Sequence, residues 1–133
     1  MLLEKPHWIH FTGIGDPDVG YISVAQSFSH VPFDIKRVYW VYDTPVEVER
    51  GNHAHKSCLQ VLIALLGKVE VELENELGET FTFVLDTPDA GVFVPTYHWR
   101  RIHFSEGAVL LSIASESYNE DDYIRDYSEF KKT

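Results

Sequence analysis

Apolar positions along the chain fall into short runs separated by turn residues. Segments 21–26 (YISVAQ) and 35–42 (IKRVYWVY) are β-branched and aromatic, the composition that fits a pleated sheet. Segment 58–66 (CLQVLIALL) is apolar at odd and even positions alike. It predicts a central strand buried on both faces, ended by Gly67. Segment 68–73 alternates strictly, with Val69, Val71 and Leu73 on one face and Glu70 and Glu72 on the other, so it predicts a half-buried strand. Asn75-Glu76-Leu77-Gly78 predicts a hairpin turn and 81–85 its return strand. After a turn at 86–91, segments 92–94, 100–104 and 109–114 supply three more strands. Segment 119–127 carries acids early and Arg125 late, which predicts a short helix. The stretch before Ser29 is Gly-rich and less regular, suited to an edge strand or to addition to a partner's sheet.

Many short strands with regularly spaced turns predict an all-β sandwich or barrel. A length of 133 residues holds one domain, 1–133, with one core. Apolar residues at 44% and aromatics at 14% are enough to fill that core and exclude a disordered chain. No apolar run is long enough to span a membrane. The N-terminus lacks the basic start, apolar stretch and cleavage site of a signal peptide. Cys58 is the single cysteine, so no internal disulfide forms. The expectation is a cytoplasmic protein without a membrane partner.

A net charge of −10 argues against nucleic-acid binding. The basic residues are unevenly spread, however. Lys36, Arg37, Arg50, Lys56, Arg100 and Arg101 lie mid-chain, while acids gather at 70–79 and 116–126. Taken singly, each of these cations suits a solvated strand face; together they suit a small anionic ligand.

Arg50-Gly51-Asn52-His53-Ala54-His55-Lys56 is the most informative stretch. Residues two apart on a strand share a face, so His53 and His55 project together at the opening of the central strand while Ala54 points away. Imidazole titrates at about 6.5, so a pocket pair of this kind suits proton transfer near neutrality. The spacing also resembles the first cupin motif, closed by Gly67, and Gly91 with Pro95 resembles the second at a looser spacing. Cupin metals usually take three His and one carboxylate. Here Gln60 occupies the acid position and Arg100 the last His position. An amide is a poor ligand and a guanidinium none, so a three-ligand site needs His98 or His103 to swing in, and no metal is expected.

The same stretch, followed by Leu59-Gln60-Val61-Leu62, resembles the sugar 3,4-ketoisomerases that act on dTDP-4-keto-6-deoxyglucose. So do Pro32-Phe33-Asp34-Ile35-Lys36-Arg37-Val38-Tyr39, Ala108-Val109-Leu110-Leu111-Ser112-Ile113-Ala114-Ser115 and Asp121-Asp122-Tyr123-Ile124-Arg125-Asp126-Tyr127. The resemblance implies a cupin-type jelly-roll β-barrel with a short C-terminal helical tail, metal-free and without cofactor. It implies a homodimer with exchanged N-terminal strands and a dTDP-linked 4-keto-6-deoxyhexose as substrate. The product is the 3-keto isomer, which an aminotransferase converts to a 3-amino sugar for surface glycans. His55 is then the base at sugar carbon 3 and His53 its partner in proton delivery. Arg37, Lys56 and Arg100 are candidates to hold the diphosphate or a developing oxyanion. Arg50, Tyr39 and Gln60 are their pocket neighbours. Val19 and Arg100 fall where relatives vary near the sugar, and Arg100 leans towards a gluco product. Three rivals remain: a sugar-nucleotide-binding module without turnover, a metal-dependent cupin, and a carbon-3/carbon-5 epimerase using Tyr97 or Tyr118 as acid.

Overall fold

The computed structural model describes residues 4–133, so the first three residues of the leader reading lie outside it. Two five-stranded sheets face each other. The first runs β1 (His7–His10), β9 (Ala90–Val94), β6 (Gln60–Leu66), β11 (Val109–Ala114), β4 (Arg37–Val41). The second runs β12 (Tyr123–Ile124), β5 (Arg50–His55), β10 (Trp99–Phe104), β7 (Val69–Glu74), β8 (Thr80–Leu85). Every pairing within these sheets is antiparallel. From β4 to β12 consecutive strands alternate between the sheets, except for the β7–β8 hairpin within the second, which closes the all-β cupin-type jelly roll that the motifs imply. No helix of the described residues is long and apolar enough to cross a membrane.

Three apolar layers explain the sequence pattern. Between the sheets lie Leu62 and Ala64 of β6, Val69, Val71 and Leu73 of β7, Ile102 and Phe104 of β10, and Leu110 of β11. The other face of β6, with Val61 and Ile63, packs under Phe11, Val31 and Phe33 of the N-terminal segment. That is why 58–66 is apolar on both faces. Outside the second sheet, Ala54 and Trp99 meet Ile124 and Phe130 of the C-terminal tail.

The N-terminal segment supplies edge strand β1, paired here with β9 of its own chain in the register His7↔Phe93 to His10↔Ala90. The strand expected at 21–26 shrinks to β3 (Gly20–Ile22), because its only partner among the described residues is the three-residue β2 (Ile14–Asp16). The helix expected at 119–127 is also corrected. It becomes a 3-10 turn over Glu120–Asp122, then β12, then a one-turn helix α1 (Tyr127–Phe130). Pairing of Tyr123 with His55 and of Ile124 with Ala54 outcompetes local helix propensity. The His-x-His pair does not open the central strand either. It ends β5, and the chain crosses between sheets before β6 begins at Gln60.

Candidate active site

The site begins with a bulge in β5. Register passes from Arg100↔His53 to Arg101↔Gly51, so Asn52 is the extra residue. Gly51 at φ +90° and Asn52 at φ 53° turn the strand there. A Cβ on Gly51 would sit 2.8 Å from both Cγ and the carbonyl oxygen of Arg100, so only glycine fits. Beyond the bulge His53 and His55 lie together, rings 4.9 Å apart and perpendicular, and Ala54 faces the opposite layer. Tyr123 covers both rings, at 5.0 and 4.4 Å.

Hydrogen bonds define both tautomers. Nδ1 of His53 lies 2.9 Å from the Gly51 carbonyl, and Nδ1 of His55 lies 2.6 Å from Oδ2 of Asp122. Both partners are acceptors, so each Nδ1 carries the proton and each Nε2 keeps its lone pair. Both Nε2 atoms are buried and unpartnered. Burial, reinforced by the Arg100 charge, pushes His53 down to about 3 and His55 down to about 4. Both imidazoles are therefore neutral near pH 7 and able to accept a proton. Burial alone would raise the Asp122 carboxyl. Bonds from Ser57 and His55 bring it down to about 2 instead.

Beneath the histidines, Arg100 is only 2% exposed and has no carboxylate among its hydrogen-bond partners. It donates to Oε1 of Gln60 and to the carbonyls of His53 and His98. Because Arg100 can only donate, Gln60 must turn its oxygen towards it. Its amide nitrogen then donates to the Tyr39 hydroxyl at 2.9 Å and to Ser112 at 3.0 Å. Tyr39 accepts that bond, so its own hydroxyl proton is free for another acceptor.

A cavity of about 280 Å³ opens above, lined by Arg37, Tyr39, Arg50, Gly51, His53, Tyr123 and Arg125. Its lining holds three arginines and no carboxylate, a setting for an anion. Glu120 pairs with Arg125 at 2.6 Å just outside the lining. Of the residues singled out in the sequence, Arg37, Tyr39, Arg50 and His53 line this cavity, and Gln60 and Arg100 lie below it. Lys56 does not join them: it is exposed past the end of β5. His53 borders the cavity, while His55 is wholly buried behind it. Asp122, Tyr123 and Arg125 were not singled out as site residues. Their segment carried a helical charge pattern, and only its pairing with β5 brings it to the histidines.

The donor set does not fit a cupin metal. Gln60 and Arg100 fill two of the usual ligand positions, and Arg100 repels a cation from the His pair. His103 points outward to Glu49 at 3.1 Å, and among the described residues His98 joins no group of three ligand atoms. Among the described residues His55, Cys58 and Asp122 place ligand atoms within 4.8 Å of one another, but the Asp122 oxygens are already engaged by Ser57, Cys58 and His55. Neither candidate acid for an epimerase is free for that role. Tyr97 packs against the tail layer, and Tyr118 donates to Glu120 at 2.6 Å.

Comparison with known proteins gives the family. The FdtA family model, described as WxcM-like, C-terminal, matches residues 4–133. A TDP-4-oxo-6-deoxy-alpha-D-glucose-3,4-oxoisomerase from Aneurinibacillus thermoaerophilus is 40% identical over 127 residues, 93% of this chain and 88% of that protein. The sugar 3,4-ketoisomerase QdtA from Thermoanaerobacterium thermosaccharolyticum, solved in complex with TDP, superposes with a TM-score of 0.92 at 36% identity. That match covers 98% of this chain and 95% of that one. The TDP-quinovose 3,4-ketoisomerase WlaRB from Campylobacter jejuni gives 0.91 at 35% identity, covering 98% and 100%. A family model matched over residues 4–133, together with a relative 40% identical over 93% of the chain, places this protein in the FdtA family.

Proposed function

We propose that this protein is a sugar-nucleotide 3,4-ketoisomerase that moves the keto group of a dTDP-linked 4-keto-6-deoxyhexose from carbon 4 to carbon 3. The observation that carries the reading is a pair of buried neutral imidazoles with bare Nε2 atoms beside an arginine-lined cavity. The related 3,4-ketoisomerases and their TDP complexes support the substrate class.

The chemistry follows from the geometry. A carbonyl at carbon 4 acidifies the proton on carbon 3. His53, which borders the cavity, takes that proton on Nε2, and charge passes to the oxygen on carbon 4. The Tyr39 hydroxyl and the Arg37 guanidinium are the donors for that enediolate. His55 takes the hydroxyl proton from oxygen 3, protons are delivered to carbon 4 and to oxygen 4, and the carbonyl now stands at carbon 3. The two hydrogens lost from carbon 3 and oxygen 3 equal the two gained at carbon 4 and oxygen 4, so the step is an isomerisation and no redox cofactor is required. Arg37, Arg50 and Arg125 hold the diphosphate.

A cytoplasmic homodimer completes the reading. The outer face of the first sheet leaves Trp40 60% and Tyr42 62% exposed, next to an apolar groove of about 680 Å³ lined by residues such as Phe11, Tyr21, Ile63 and Leu65. A second copy with exchanged N-terminal strands covers such a face, and sedimentation of the purified protein measures it.

The deciding experiment incubates the protein with dTDP-4-keto-6-deoxyglucose in deuterated water with chelator and follows the sugar by NMR. A 3-keto product carrying deuterium at carbon 4 is expected, and its stereochemistry separates galacto from gluco. An unchanged sugar with no deuterium uptake overturns the proposal for this substrate.

A further inference from the structure

We infer that Asp122 is a positioning residue: it holds His55 in the Nδ1–H tautomer, so that Nε2 of that ring faces the reaction with a lone pair. The inference rests on the reading that both imidazoles exchange protons with the sugar.

The two oxygens of Asp122 have different tasks. Oδ1 accepts from the Ser57 amide at 2.6 Å, the Ser57 hydroxyl at 2.8 Å and the Cys58 amide at 3.3 Å. Oδ2 is left to face Nδ1 of His55 at 2.6 Å. The backbone is tied as well, since the Lys56 amide donates to the Asp122 carbonyl at 2.9 Å and the Asp122 amide donates to Asn119 at 3.0 Å. The carboxylate is therefore clamped in place, and its orientation decides where the proton on His55 sits.

His53 has no such partner: its Nδ1 meets a neutral carbonyl, that of Gly51. The two imidazoles share a tautomer but not an environment. Only the imidazolium formed on His55 has a carboxylate against it, offsetting the Arg100 guanidinium that bears on both rings. A carboxylate behind the second histidine makes that ring the better place to hold a proton between the two transfer steps.

Asp122→Asn tests this closely, because three donors keep the remaining oxygen where Oδ1 is. The amide NH2 must then face Nδ1, and the ring must move its proton to Nε2. Nitrogen-15 NMR of histidine-labelled protein, assigned with His55→Asn, reads the tautomer directly. The expected result is Nδ1–H in the native protein and Nε2–H in Asp122→Asn. With it kcat falls roughly 10²–10⁴-fold, the scale of a lost acid–base group or wrong tautomer, while KM stays near its native value. Native protein with the proton on Nε2 of His55 overturns the inference, and this needs no variant to fold. So does an Asp122→Asn enzyme that folds and keeps native kcat. If the native protein shows no isomerase activity, the proposed function fails, while the NMR arm still decides whether Asp122 sets the tautomer.

Discussion

The inward faces of three strands each change character along their length. β6 carries Gln60 and then Leu62 and Ala64; β10 carries Arg100 and then Ile102 and Phe104; β11 carries Leu110 and then Ser112. One end of the barrel interior is therefore dry and apolar, and the other holds a buried guanidinium, an amide and a hydroxyl. Area removed from water stabilises the apolar end without any directional requirement. The polar end is tolerable only because its members are bonded to one another, Arg100 to Gln60 and Gln60 to Tyr39 and Ser112. The same strands thus supply a rigid floor and a preorganised site, and the two ends respond to substitution in different ways.

The largest separation of the two ends comes from His53→Asn. It removes the imidazole at the cavity and is expected to lower kcat roughly 10²–10⁴-fold, with a urea midpoint close to native. Leu73→Ala reverses the pattern. Leu73 is fully buried in the apolar layer, so its truncation costs about 2–5 kcal/mol in urea unfolding, with kcat per folded molecule unchanged. Loss of activity at native stability in Leu73→Ala would show that the two ends are not separable.

Acid sharpens the contrast next. Folded His53 and His55 titrate at about 3 and about 4, below the ordinary value of 6.5. Between those limits the unfolded chain binds more protons, so their contribution is complete above about 6.5 and is lost as pH falls towards 4 and then 3. Asp122, held at about 2, contributes above the ordinary carboxylate range and loses that contribution as pH falls towards 2. Urea midpoints measured from pH 7 to pH 3 should fall, and less steeply in His53→Asn; a flat native profile would refute the assignment of neutral histidines. The smallest effect belongs to Arg101→Ala. Arg101 is next to Arg100 in sequence but on the outer face, paired with Glu72 at 2.9 Å and Glu74 at 3.5 Å. The partly exposed pair with Glu72 contributes up to about 1 kcal/mol, buried Glu74 keeps Lys131 at 2.7 Å, and kcat should be native. A large kinetic effect there would mean that the outer face reaches the site.

Much of the fold was visible in residue patterning. The alternation of Val69, Val71 and Leu73 and the hairpin at 75–78 became the elements they predict, while the two-faced run at 58–66 became β6 from Gln60, buried as far as Ala64 with Leu65 and Leu66 exposed. Each is a local pattern with a period, and local patterns are written in adjacent residues. The tail misled for the same reason: Glu120, Asp121 and Asp122 look like the first turn of a helix, yet β5 offered a better partner to the backbone of Tyr123 and Ile124.

The candidate site divides along the same line. His53, His55, Gln60 and Arg100 could be picked out because each breaks an apolar or motif position with a chemically capable side chain. Asp122 lies 67 positions from His55, and Arg125 belongs to a run of charges that suits any solvated tail. What the sequence alone determined was the residue types, their faces and the strands that carry them, since side-chain direction along a strand has a fixed period of two. Which histidine borders the cavity, which carboxylate sets its neighbour's proton and which cation stays outside were decided only by tertiary packing. Those properties depend on distances between segments remote in the chain, and no local period records them.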